Sequence, residues 1–361
     1  MSTPMRILHI VTTMDAGGVE TLLMNLYRTL DHSKVQFDFL KHRDSHDFYD
    51  NEILASGGRI YPGIPFSPMK LGEYRKFYRE FFQSHLEYKI VHAHTHYNMF
   101  ALREAKAIGV PVRIAHAHIA YPTIDKKYPF KLYNKLRVGS FATGMLACSA
   151  AAEKWFFGSK AVREKRVIVL NNGIDANKFV YTSEVRQKQR RELGLAEQFT
   201  LIHVGRFEEQ KNHKFLLDTF EKVLQKKPDA VLLLVGDGTL RQKIEQQAIQ
   251  RKIADHIQFL GVRADVHALL QAGDVFVFPS QYEGLGIVAV EAQAAGLPCV
   301  ISDTIPGDVA VLDTLKALPL EIRKNGQMRF WPGKGSGTCA GIPLRRSAQR
   351  ALRFLLLRNG L

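Results

Sequence analysis

Two successive open, parallel α/β sheets are the fold class this sequence predicts, and three observations carry the prediction. The chain has 361 residues, more than one hydrophobic core usually organises, so two domains are expected. Strand-length apolar runs bounded by turn residues alternate with segments of helical period, the pattern of a parallel sheet crossed by helices. That alternation runs through twice, with a turn-rich join near Asn171 to Lys178.

In the first half, strands are read at "RILHIV", "VQFDFL", "KIVHAH", "VRIAHA", "GMLACS" and "RVIVL". A helix between the first two is read at "GGVETLLMNLYRTL", where Val19, Leu22, Leu23, Leu26 and Leu30 recur near helical spacing. The second series has strands at "FTLIHVG", "AVLLLVG", "HIQFLG", "DVFVFPS" and "PCVIS", with helices at "LLDTFEKVLQKK" and "LRQKIEQQAIQRK". The expected domains are 1–172 and 173–320, both Rossmann-like, followed by an atypical basic tail at 321–361.

Composition narrows the class. At 46% hydrophobic and 24% charged residues the chain is ordinary globular material, and no apolar run approaches the roughly 20 residues that span a bilayer. The opening "MSTPMRILHIVTTMDAGG" leads into Gly-Gly and an amphipathic segment, so it reads as a first strand and not as a secretory signal. Cys148, Cys299 and Cys339 are far apart with no C-x-x-C pair, which argues against a disulfide framework or a cysteine zinc site and fits a reducing cytoplasm. The formal charge of +15 would suit nucleic acid, an anionic membrane or phosphorylated substrates. Nine of its cations, Arg323, Lys324, Arg329, Lys334, Arg345, Arg346, Arg350, Arg353 and Arg358, follow Glu321, the last acidic residue. The main body is therefore only mildly basic, and no helix-turn-helix or RNA-binding pattern appears, so no nucleic-acid partner is expected.

Open parallel sheets bind ligands beyond the carboxyl ends of their strands, and four such turns stand out. In "TTMDAGGVE", Gly17 and Gly18 allow close backbone approach and offer helix-start amides to an anion, although the pair serves equally as a plain turn and the G-x-G-x-x-G fingerprint is missing. In "HVGRFEEQKNH" a strand ends at Gly205, and Arg206 and Lys211 follow; converging over one loop, they would offset the charge a diphosphate builds as its sugar leaves. A solvated loop would look the same. In "LLLVGDGTL", Gly236 and Gly238 close an apolar strand. In "PSQYEGLGIVAVEAQAAGLPCV", Gly284, Leu285 and Gly286 introduce a helix that Gly296 and Pro298 terminate. Glu283 sits in the turn before the free amides, and Glu291 lies inside an apolar helix, where an enclosed carboxylate needs donors such as sugar hydroxyls.

Histidines form a further pattern. His92, His94 and His96 alternate in "VHAHTH", as do His116 and His118 in "RIAHAHIA", so each set points to one face of a strand. A metal cluster is one reading. Two adjacent strand ends at a cleft is the preferred one, because no Cys, Asp or Glu cluster accompanies them, and no metal or other cofactor is expected.

"EGLGIVAVE" matches the E-x7-E signature of retaining glycosyltransferases, and "AGGVE", "NNGID", "GRFEEQKN" and "VGDG" accompany it in the family's order. Over roughly residues 5 to 320 the chain resembles GT4-type glycosyltransferases of GT-B fold, most of all the branch that builds bacterial capsular and exopolysaccharides. The resemblance implies a sugar-nucleotide donor, uridine by preference, held mainly by the C-terminal domain. Arg206 and Lys211 would bind its diphosphate, Glu291 its ribose, and Glu283 a hydroxyl of the donor sugar, with the amides of Gly284, Leu285 and Gly286 assisting. Gly17 and Gly18 would approach the diphosphate from the acceptor-side N-terminal domain, and Gly236 would line the site. One N-domain histidine, His118 before His116, would lie near the reacting sugar. The family is metal-independent, and its front-face route lets the leaving phosphate help deprotonate the acceptor, so no protein nucleophile is required.

The acceptor would be a saccharide or a polyprenyl-diphosphate-linked saccharide. "IPFSPMKLGEYRKFYREFFQ" and "YPTIDKKYPFKLYNKLR" mix bases with aromatics and could rest on an anionic membrane, or be amphipathic helices with an aromatic core side. The expected location is cytoplasmic, with peripheral contact to the inner face of the plasma membrane as an option. Three rival readings stand beside transfer: a sugar-nucleotide epimerase of the same shape, a nucleic-acid binder, and an inactive transferase. The last arises because the tail lacks the family's closing strand and long helix, suggesting a shifted frame or truncation after about Glu321, or else a divergent membrane-docking tail.

Overall fold

The computed structural model describes residues 3–94, 97–120 and 128–318. The chain divides into two compact units, Met1–Gly173 and Ile174–Leu361.

The N-terminal unit holds seven strands: β1 (Met5–Val11), β2 (Val35–Lys41), β3 (Ile60–Pro62), β4 (Ile90–Ala93), β5 (Val112–Ala117), β6 (Gly144–Ala147) and β7 (Val167–Val169). They pair in parallel in the order β3-β2-β1-β4-β5-β6-β7. The C-terminal unit holds β8 (Thr200–Val204), β9 (Val231–Val235), β10 (Ile257–Gly261), β11 (Val275–Phe278), β12 (Cys299–Ser302) and β13 (Leu315–Leu318). Their order is β10-β9-β8-β11-β12-β13, again parallel. Both are doubly wound sheets of Rossmann type. Every strand read from the sequence is present, and β3 and β13, short edge strands of three and four residues, are additional.

The two-residue period of the strands decides which side chains enter which layer. Ile202, Leu233, Phe276 and Phe278 face one way, onto Leu269, Ala289 and Ala292. Their sequence neighbours Leu201, Leu232, Leu234, Val275 and Val277 face the other, onto Leu216, Phe220 and Ile244. In the N-terminal unit the helix Gly18–Tyr27 lays Leu23 and Tyr27 over Phe37 and Phe39. Each sheet has one point where consecutive crossovers leave in opposite directions, between β1 and β4 and between β8 and β11. Such switch points open crevices at the strands' carboxyl ends, and the singled-out residues lie at these two places.

Candidate functional site

In the C-terminal unit the loops after β8 and β11 are stitched together. Lys211, on the short 3-10 turn Glu209–Lys211, places Nζ 2.6 Å from Glu283 Oε1 and lies over the Phe278 ring, 4.6 Å from its centre. The Gln281 amide donates to the Gln210 carbonyl at 2.8 Å, and the Gln210 side-chain amide donates to the Tyr282 carbonyl at 2.7 Å. Beneath this pair two imidazoles form a neutral floor. The His203 Nδ1–H donates to the Val277 carbonyl at 2.8 Å, and the His213 ring stacks on Phe207. Burial lowers His203 to about 4 and His213 to about 2, so neither adds charge beside Lys211.

The glycines of these turns are required by contact. A side chain on Gly236, whose φ is +131°, would collide with the Gly205 carbonyl, and one on Gly238 would meet the backbone of Phe207 at 2.7 Å. The Phe207 amide donates to the Asp237 carbonyl at 3.0 Å, so the turns after β8 and β9 pack backbone against backbone. Arg206 and Lys211, expected to act together on one diphosphate, differ in their surroundings. Lys211 is held by Glu283, whereas the Arg206 side chain is exposed and has no ion-pair partner among the described residues.

After Glu283 the chain turns through Gly286, at φ +87°, into the helix Ile287–Ala294. The amides of Leu285, Gly286 and Ile287 donate no hydrogen bond among the described residues, which leaves the positive end of that helix available to an anion. Glu283 is buried; its carboxylate is the acceptor already engaged by Lys211. The side chain of Glu291, partly buried and about one turn along the helix, has no hydrogen-bond or ion-pair partner among the described residues. Burial pushes its carboxyl up to about 7.

In the N-terminal unit Gly17 caps the helix Gly18–Tyr27 without a side-chain bond. The Glu20 carboxylate folds over Gly17 and occupies the ground a Cβ would take there. A phosphate arriving at Gly17 and Gly18 would first have to displace it. His116 is buried within β5, and its Nδ1 lies 3.2 Å from His92 Nε2. His118, just past the end of β5, is partly exposed, with Nε2 2.9 Å from His94 Nδ1. Of the two candidates, His118 is thus the one at the strand's carboxyl end. His96, like the Tyr121–Lys127 part of the second basic-aromatic segment and the whole tail after Leu318, lies outside the described residues.

The helix Leu71–Ser84 has the aromatic core side that was one of its two expected readings. Tyr74, Tyr78, Phe81 and Phe82 are buried on its inner side. Its cations are spoken for: Arg75 and Arg79 both bind the buried Glu104, at 2.8 and 2.9 Å, while Lys70 pairs with Glu73 and Lys76 with Glu80. The helix Tyr128–Arg137 differs, leaving Leu132, Tyr133 and Leu136 exposed. Among the described residues no helix is long and apolar enough to cross a membrane.

Two family models match, Glycosyltransferase Family 4 over residues 16–178 and Glycosyl transferases group 1 over residues 185–316. EpsF of Bacillus subtilis (strain 168), provisionally assigned as a glycosyltransferase, is 38% identical over 313 residues, covering 84% of this chain and 80% of EpsF. The chain belongs to the GT4-type glycosyltransferases. A second member, from Escherichia coli, is a UDP-Gal:alpha-D-GlcNAc-diphosphoundecaprenol alpha-1,3-galactosyltransferase. It is 29% identical over 225 residues, 60% of this chain and 58% of its own length. Among solved structures, Anabaena HepE in complex with UDP and glucose superposes with a TM-score of 0.73 at 22% identity, covering 88% of this chain and 86% of HepE. WaaG, a glycosyltransferase of lipopolysaccharide biosynthesis, does so with 0.66 at 17% identity, covering 87% and 86%. The fold of this glycosyltransferase is therefore GT-B.

Sequence reasoning missed two parts of these surfaces. His203 and His213, under the Lys211 loop, stand in plain view in "HVGRFEEQKNH" but gain meaning only once Phe207 and Val277 are known to pack on them. His9, in the middle of β1, pairs with His92 across the switch point. Period-two alternation would have revealed it only given that β1 neighbours β4.

Proposed function

We propose that this glycosyltransferase moves a sugar, with retention of anomeric configuration, from a uridine-diphosphate donor to a saccharide or lipid-linked saccharide acceptor in bacterial surface-polysaccharide synthesis. The observation that carries the donor half is Glu291, a partly buried carboxylate without a partner, on the same short helix whose unpaired amides begin just after Glu283. A buried acceptor of that kind is offset by hydroxyl donors, and a nucleotide's ribose supplies two on neighbouring carbons. The amides of Leu285, Gly286 and Ile287 suit a diphosphate, as does Lys211, which is already aimed into the same turn. Support for uridine comes from the UDP and UDP-glucose complexes of HepE and from the name of the Escherichia coli relative.

In the proposed reaction Lys211, Arg206 and the helix amides stabilise charge as it builds on the leaving diphosphate. The departing phosphate oxygen accepts the acceptor's proton on the same face of the sugar. Glu283 keeps Lys211 in place and accepts from a sugar hydroxyl, Gly236 keeps the turn after β9 close to the site, and His118 is assigned to the reacting sugar. With cationic side chains and amides in the divalent ion's usual role, turnover is expected to be unchanged when Mg2+ or Mn2+ is added. Leu132, Tyr133 and Leu136, beside Lys135 and Arg137, are the side chains we assign to contact with an anionic membrane surface.

A panel of sugar nucleotides screened by thermal shift would identify the donor, because a ligand that binds only the folded chain raises its melting temperature. Labelled donor is then followed with and without lipid-linked acceptor. Label moving to acceptor supports transfer; isomerisation of the donor in the absence of acceptor would establish the epimerase reading instead.

A further inference from the structure

One face of the N-terminal sheet carries five imidazoles: His9 on β1, His92 on β4, His94 just after it, His116 on β5 and His118 just after that. They form a continuous set. His9 Nδ1 is 3.1 Å from His94 Nε2, His94 Nδ1 is 2.9 Å from His118 Nε2, and His92 Nε2 is 3.2 Å from His116 Nδ1. Each of His9, His92 and His94 can offer one nitrogen such that all three lie within 4.8 Å of one another. A tetrahedral zinc ion with bonds of about 2.05 Å holds its nitrogens about 3.3 Å apart. The His9–His94 pair is already near that spacing.

Two further features separate this arrangement from core histidines that merely satisfy one another. The Nε2 atoms of His9 and His116 are buried and have no hydrogen-bond partner, so interaction within the set leaves polar atoms unmet. His9, His92, His94 and His116 also line a cavity of about 210 Å³ whose other walls are apolar, among them Ile7, Leu22, Phe37 and Ile90. The cavity gives space beside the imidazoles for a further ligand.

We propose that His9, His92 and His94 form a binding site for a borderline transition-metal dication such as Zn2+, with its fourth position open to the cavity. Neutral imidazoles without a carboxylate select this class over Mg2+ or Ca2+, which take oxygen ligands. His94 would ligate through Nε2 and donate its Nδ1–H to His118 Nε2, a second-shell bond that fixes its tautomer. With three neutral ligands the ion keeps its charge, so hydroxide or another small anion belongs in the fourth position. The site ties β1 to β4 and lies in the same unit as Gly17, Gly18 and His118, whereas Arg206, Lys211, Gly236, Glu283 and Glu291 are in the other unit.

The test uses the purified full chain, stripped with EDTA, incubated with one equivalent of Zn2+, desalted and analysed for metal. Close to one zinc per chain is expected, falling at least tenfold in His9→Gln and His94→Gln, while His46→Gln, an exposed histidine outside the set, keeps it. Circular dichroism establishes that each variant is folded. Should a variant fail to fold, Co2+ loaded into the wild-type chain gives the second readout: the intense visible bands of a four-coordinate site, bleached by added Zn2+. A folded wild-type chain that retains no zinc and gives no cobalt bands would overturn the proposal. So would zinc retained unchanged by folded His9→Gln and His94→Gln, or lost only in His118→Gln, which would move the ion to the opposite nitrogen of His94.

Discussion

At the switch point of the C-terminal unit the polar groups are ionic and held by a partner, Lys211 on Glu283 at 2.6 Å. At the switch point of the N-terminal unit they are imidazoles, four of which burial keeps uncharged. The first sits at the carboxyl ends of parallel strands, where chain direction and crossover geometry leave a crevice, and the second runs from within β1 and β5 to just past the ends of β4 and β5. Similar backbones thus present fixed charge in one place and lone pairs in the other. The first suits an anion and the second a soft or borderline cation, so shared topology does not imply shared chemistry.

The comparison breaks most visibly at Lys211. Lys211→Ala removes the cation and leaves Glu283 buried without a partner, and we expect turnover to fall about 10²- to 10³-fold, measured as initial rate with the donor found in the screen. A loss under threefold would mean that the charged crevice does not act on the leaving group. Next comes Gly236→Ala, which forces a Cβ onto the Gly205 carbonyl at a φ of +131°. A cost of about 1–3 kcal/mol is expected, read as a lower denaturation midpoint and as loss of donor binding in any folded fraction.

Glu291 sharpens the contrast through pH. Its folded-state carboxyl, raised to about 7, holds a proton in a range where the unfolded chain has released it, so its contribution to stability declines as pH rises from its ordinary value to about 7. Donor hydroxyls favour the carboxylate, so UDP should bind more tightly from pH 6 to pH 8. Glu291→Gln should weaken UDP about 10-fold at pH 8 and remove that part of the pH dependence in calorimetric titration. Any dependence remaining in the variant belongs to the nucleotide's own phosphate. The smallest effect is expected at Arg206, exposed and solvated: Arg206→Ala should lower kcat/KM a few-fold, with part of the loss in kcat.

The strands and the glycine turns were legible because each is written locally: an apolar run, a following Gly, a helix period. "AVLLLVGDG" announces both β9 and its turn without outside information. β3 and β13 were not legible; "IYP" and "LKAL" are too short to carry a period, and their pairing with β2 and β12 is what makes them strands. In the site, the roles of single residues could be proposed from motifs, but the bond between Lys211 and Glu283 spans 72 positions and exists because β8 adjoins β11. The same limit hid His9. Contacts that depend on strand order become visible only when the order is known. For the basic helix Leu71–Ser84 the sequence left two readings open for a related reason, since the counter-ion Glu104 of Arg75 and Arg79 lies on another helix.

The Lys211–Glu283 bond also bears on how association should respond to salt. A cation waiting without a partner would gather mobile counter-ions, and a diphosphate would have to release them, so affinity would fall steeply as salt is added. Lys211 instead carries its counter-ion within the fold, where small ions compete poorly. Diphosphate binding then resembles an exchange of partners more than an ion capture, and the exposed Arg206 is left to set most of the slope. Affinity should consequently hold up in concentrated salt better than a tally of cations around the loop would suggest.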